Sequence, residues 1–130
     1  MSSAQVQALI DHLTSLGEPA LLHHGCCVGV DEEAHWIAFE LGISAVGHPP
    51  TDTRLMMEIP PEPESDIFFL EIREPFDYLA RDRHIAEASD WLLGFPKDNS
   101  GKGGTWYTID YARSIGKPVI VVHRDGTVDS

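Results

Sequence analysis

Apolar residues recur along the chain with more than one period. Over 3–16, Val6, Leu9, Ile10, Leu13 and Leu16 fall at the spacing of an amphipathic helix, and Gly17 followed by Glu18-Pro19 marks its end. A short unbroken apolar run over 20–24, closed by Gly25, predicts a buried strand. Asp31 reads as the N-cap of a second helix, with Glu32 and Glu33 in the first turn, where acids are favoured. Ala34, Ile37, Ala38 and Leu41 form the buried stripe of that helix, and Gly42 stops it. Residues 43–46 predict a second strand, ended by Gly47-His48-Pro49-Pro50. The proline-rich stretch 48–65 reads as a long surface loop. Asp66 to Ile72 fits a strand or an apolar helical turn, which periodicity does not separate. A helix over 76–89, a strand over 91–95, a Gly/Ser/Lys-rich loop, a helix over 105–115 and a strand over 118–122 complete the pattern.

Strands therefore alternate with helices, and the strand runs are apolar throughout, as a sheet covered on both faces requires. The expected class is α/β: an open, mostly parallel sheet of four to five strands with helices on both faces. A length of 130 residues suits one domain spanning 1–130, with a long irregular insertion at about 48–74. The hydrophobic fraction of 42% excludes a disordered acidic tail. The net charge of −12 argues against nucleic acid as a partner, because a polyanion would meet a surface of like sign. Residues 1–16 hold no Lys or Arg and no long apolar core, so no secretory signal is expected. No apolar run approaches the ~20 residues that span a bilayer, so no membrane partner is expected. Cys26 and Cys27 are adjacent and would bridge only with strain, which fits a reduced, cytoplasmic protein.

In such a sheet ligands bind beyond the carboxyl ends of the strands, where the turns 24–31, 47–54 and 96–105 fall. The strongest signal is Ser100-Gly101-Lys102-Gly103-Gly104-Thr105, between a strand and a helix. Glycines let backbone N–H groups approach a phosphate, and a helix start adds free donors and a positive dipole end. Thr105 can cap the helix or offer its hydroxyl, and Lys97 and Lys102 add positive charge. In the turn beginning at Gly25, Asp31 either caps its helix or accepts hydrogen bonds from a ribose or base. Arg81 and Arg83 are two apart on a helix, so at most one points into a site. His23 and His24 face opposite sides of a strand. A set built from His24, His35 and His48 is conceivable, but the spacing demands no metal.

His23-His24-Gly25-Cys26-Cys27-Val28-Gly29-Val30-Asp31, then His48-Pro49-Pro50, Arg81-Asp82-Arg83-His84-Ile85, Gly103-Gly104-Thr105-Trp106-Tyr107-Thr108 and Gly116-Lys117-Pro118-Val119 together resemble the SLOG superfamily. This Rossmann-like group includes LOG-type phosphoribohydrolases, the DNA-processing protein DprA and nucleotide-sensing domains; the likeness covers most of residues 5–122. It implies a nucleotide-like small molecule at the glycine loop. The expected binding residues are Gly25, Asp31, His48, Arg81, Arg83, Lys97, Gly103, Gly104 and Thr105, and no cofactor or metal is expected. Such proteins open with a strand that lies mid-sheet, whereas this sequence starts at the following helix. Residues 66–72, or a strand from a second subunit, are the expected substitutes. Related hydrolases carry a glutamate where Thr108 stands, and a hydroxyl is a poor support for an oxocarbenium-like state. Binding without catalysis, and no catalytic residue, is therefore the expectation. One alternative is an N-ribosyl or phosphoribosyl hydrolase using Asp31. The other is an interaction protein that forms a homodimer through Leu55, Met56, Met57, Ile59, Phe68, Phe69 and Leu70.

Overall fold

Ser2 opens the first helix with a capping box. Its hydroxyl accepts from the Gln5 N–H, and the Gln5 side chain accepts from the Ser2 N–H. The computed structural model describes residues 1–17 and 20–130, so the expected helix stop at Glu18-Pro19 lies outside the described residues. The elements are α1 (Ser3–Ser15), β1 (Leu21–His24), α2 (Val30–Glu40), β2 (Ser44–Gly47), α3 (Ser65–Phe68), β3 (Glu71–Ile72), α4 (Tyr78–Ala88), β4 (Leu92–Gly94), α5 (Gly104–Ser114), β5 (Val119–Val122) and β6 (Val128–Asp129).

The α/β class holds, but the strands are divided between two sheets rather than joined in one. β1, β2 and β3 form a parallel sheet, in register from Leu21 opposite Ser44 to His24 opposite Gly47. β4 pairs parallel with β5, which pairs antiparallel with β6. The division falls between β1 and β4, each an edge of its own sheet.

The segment 66–72 does not fill that division. Its first part is the end of α3, and Glu71–Ile72 pairs on the outer side of β2. The physical reason lies in the residues between them. Phe69 is buried with Cys26, Ala45 and Met57, and the Leu70 N–H donates to the Ala45 carbonyl, which anchors the segment beside β2. The same cluster takes up part of the apolar set read as an interface: Met57 and Phe69 are core, while Leu55 and Leu70 stay exposed.

Helix α1 ties the two sheets together. Leu9 and Leu13 pack with Ala34 and Ala38 of α2 and with Phe95 and Val122, next to Leu22 and Leu93. The buried Gln5 amide donates to the carbonyls of Pro96 and Val122, at the carboxyl ends of β4 and β5. A second cluster, built on Ile85, Ala86, Leu92, Ile109 and Val121, seats α4 and α5 against β4 and β5. Among the described residues no helix is long and apolar enough to cross a membrane.

Candidate functional site

The carboxyl end of β1 turns at Gly25 and leads into α2, whose N-cap is Gly29 (φ +91°) rather than Asp31. Asp31 sits inside the first turn, and its Oδ2 accepts from the Cys27 N–H at 3.3 Å. The carboxylate thus braces the turn before the helix instead of capping it.

Helix α4 supplies the other half. Asp77 caps it by accepting from the Ala80 N–H at 2.8 Å, and its buried face carries Arg81, Asp82, Ile85 and Ala86. Arg81 is only 7% exposed. Its Nη1 donates to the Gly25 carbonyl at 2.5 Å and lies 3.7 Å from Cys27 Sγ. Its Nε is 2.9 Å from Asp82 Oδ1, close enough for an ion pair, but the N–H is not aimed at that oxygen and has no hydrogen-bond partner. Burial raises the carboxyl pKa values of both Asp31 and Asp82, and the Arg81 charge opposes the rise in each. The guanidinium is therefore the counter-charge for a pair of carboxylates. Gly25 is what allows it so close: a Cβ there would lie 2.0 Å from Arg81 Nη1 and 2.8 Å from Asp31 Oδ2.

Asp82 carries this cluster to the glycine loop. A Cβ on Gly104 would lie 3.8 Å from Asp82 Oδ2. The Thr108 hydroxyl donates to the Gly104 carbonyl at 2.9 Å and is also near enough to the Asp82 carboxylate to oppose the rise of its pKa. Helix α5 begins after Gly103 (φ +101°), a backbone conformation that favours glycine, and no side chain caps it. Residues 97–105 are exposed, so the first N–H groups of α5 face solvent. The N-cap is Gly103; Thr105, expected as a possible cap, lies within the first turn and does not cap. The loop behind is held by Asp98, whose carbonyl accepts from Trp106 Nε1 and whose side chain accepts from the Ser100 N–H.

The remaining candidates separate. Arg83 donates to the Tyr107 hydroxyl at 3.0 Å, so its guanidinium lies along α5 rather than at the Gly25 turn. Lys97 lines a different hollow, with Asp98, Asn99, His123 and Asp125. His48 is buried, and its Nε2 is 2.9 Å from His23 Nδ1. His24 pairs instead with His35, Nε2 to Nδ1 at 2.9 Å. Because His24 Nδ1 accepts from the Cys26 N–H, the proton of neutral His24 lies on Nε2 and is donated to His35. Burial, with neighbouring positive groups, lowers the pKa of His24 to about 3 and of His48 to about 4. Among the described residues no group of three or more His, Cys, Asp or Glu is arranged to hold a metal ion.

No family model, curated protein or solved structure matches this chain. Gly25, Asp31 and Arg81 come together, and Gly104 joins them through Asp82. Asp82 and Cys27 are absent from the binding residues expected from the sequence. The signal for Asp82 was present, because it shares a helix stripe with Ile85 and Ala86 at the i+3 and i+4 positions. The arrangement offers uncapped amides to an anion, and a buried carboxylate a few ångströms away to a hydroxyl.

Proposed function

We propose that the start of α5, with Asp82, Arg81 and Asp31 behind it, binds a nucleotide or nucleotide-derived small molecule and releases it unchanged. The observation that carries this reading is the exposed, uncapped first turn of α5 directly beside the buried Asp82 carboxylate. Free helix N–H groups suit phosphate oxygens. A bare phosphate would gain those bonds but meet Asp82 as a like charge. A nucleotide also carries ribose hydroxyls, which donate to such a carboxylate. Arg81 stays behind Asp82 as its buried counter-charge, with Nε 2.9 Å from Asp82 Oδ1.

Calorimetry with AMP, ADP-ribose and cyclic nucleotides, alongside inorganic phosphate, tests this. Saturable binding of at least one nucleotide, with none of phosphate, is the expected result. Asp82→Asn should weaken that binding about tenfold, the worth of one hydrogen bond to a charged group. A folded sample that binds none of these nucleotides overturns the reading. A second reading, an N-ribosyl hydrolase, draws support from the same carboxylate, because Asp82 stands within reach of Thr108, the position of the glutamate in related hydrolases. Free base released from AMP, and lost in Asp82→Asn, would favour it over simple binding.

A further inference from the structure

A cavity of about 530 Å³ opens between β1 and β4, lined by Leu21, Leu22 and His23 on one side and Trp91, Leu92 and Leu93 on the other. Helix α1 fixes the geometry around it. Its first turn is held at the carboxyl end of β4 by Gln5, and its later His12 packs edge-on against Trp91, just before β4, with ring centroids 4.6 Å apart. It therefore runs antiparallel to β4. Leu9 and Leu13 belong to the core that contains Leu22 on one sheet and Leu93 on the other, so α1 spans the division.

The strand edges facing this cavity carry backbone groups directed into it. In a parallel ladder, each residue sends its N–H and C=O to the same side, and successive residues alternate. The His24 carbonyl accepts from the His48 N–H, so His24 and Leu22 bond toward β2 and leave Leu21 and His23 turned the other way. The Leu92 N–H donates to the Pro118 carbonyl, so Leu92 and Gly94 bond toward β5 and Leu93 is turned away. Among the described residues no strand pairs with either edge. Leu21 is 45% and Trp91 42% exposed at the mouth of the cavity.

We propose that this slot accepts an extended, mainly apolar β-strand from a partner polypeptide, which pairs with β1 and β4 at once and closes the two sheets into one. Backbone groups on both walls specify an extended chain, because only such a segment offers alternating N–H and C=O groups in two directions. The apolar side chains of Leu22 and Leu93 select apolar residues on the face toward α1. Asp90, which lines the cavity just before β4, favours a Lys or Arg near one end of the segment. A second copy of this chain is a poor donor, because its apolar strand runs at 21–24, 44–47, 92–94 and 119–122 already lie in its own sheets.

The test uses the whole chain and a synthetic probe, acetyl-Lys-Val-Ile-Val-Ile-Val-Gly-amide. Two control peptides carry either N-methyl groups on alternate amides or proline at the central position. The expected result is saturable binding of the parent peptide, with slowed amide exchange at His23 and Leu93. Each control should bind at least about tenfold more weakly, since either one removes ladder hydrogen bonds. Equal binding of all three peptides, or unchanged exchange at His23 and Leu93 in saturating parent peptide, overturns the proposal. It is also overturned if the protein alone sediments as a dimer whose His23 and Leu93 amides are already protected, which would make a second copy the occupant.

Discussion

Gly25→Ala is expected to destabilise the protein by about 3 kcal/mol, the scale of breaking a buried ion pair. The added methyl would lie 2.6 Å from Arg81 Cζ, so the guanidinium must leave its place. Its departure strands the Gly25 carbonyl and removes the counter-charge shared by Asp31 and Asp82. Urea denaturation followed by circular dichroism measures the loss. Arg81→Met should cost a similar amount by the same route. The double variant should then lose little more than the worse single one, because both changes break one contact. Full additivity in that cycle, or a stable Gly25→Ala protein, would show that the arginine is not held as described.

Acidification from pH 7 to pH 5 is expected to lower stability by about 2 kcal/mol through His24 alone, at 1.36 kcal/mol per pKa unit. His24 titrates near 6.5 when unfolded and about 3 when folded, so between these values the unfolded chain binds the extra proton. Stability from this group is complete above pH 6.5 and drains as pH falls toward 3. His48, lowered to about 4, acts with the same sign. Asp31 and Asp82 act oppositely. Their raised folded pKa values make their contribution greatest below the unfolded carboxylate range, and it is lost as pH rises through the folded values. Urea midpoints measured across pH 5–7 should fall steadily on the acid side, and His24→Gln should flatten the slope. A flat profile in the unaltered protein would contradict the neutral, buried histidine pair.

The order of helices and strands was legible because most elements carry their own punctuation. Gly17, Gly42 and Gly116 follow α1, α2 and α5, and apolar runs mark β1, β2, β4 and β5. What could not be read was pairing. Nothing local in Leu21–His24 or Leu92–Gly94 says that these strands stand apart, since a strand's periodicity is the same at an edge as in the centre. β6 was missed for a similar reason: Val128–Asp129 is too short to show a period, and the His123 to Thr127 turn brings it back to β5. At the site, the glycines and Arg81 stood out by type. Asp82 did not, because its importance comes from the buried face of α4 and from Gly104 across the interface with α5. The caps failed in one direction. Asp31 and Thr105 are the residue types that cap helices, yet glycines with positive φ took both positions and released the two side chains.

Cys26 has a practical use. It is fully enclosed beneath Gly47 and Phe69, its carbonyl accepts from the Met57 N–H, and burial pushes its thiol up to about 12. A thiolate is the species that reacts with alkylating or disulfide reagents. In the native protein this sulfur is shielded both by its neighbours and by its proton. Its labelling rate therefore counts openings of the first sheet's core, a chemical clock that requires no engineered probe.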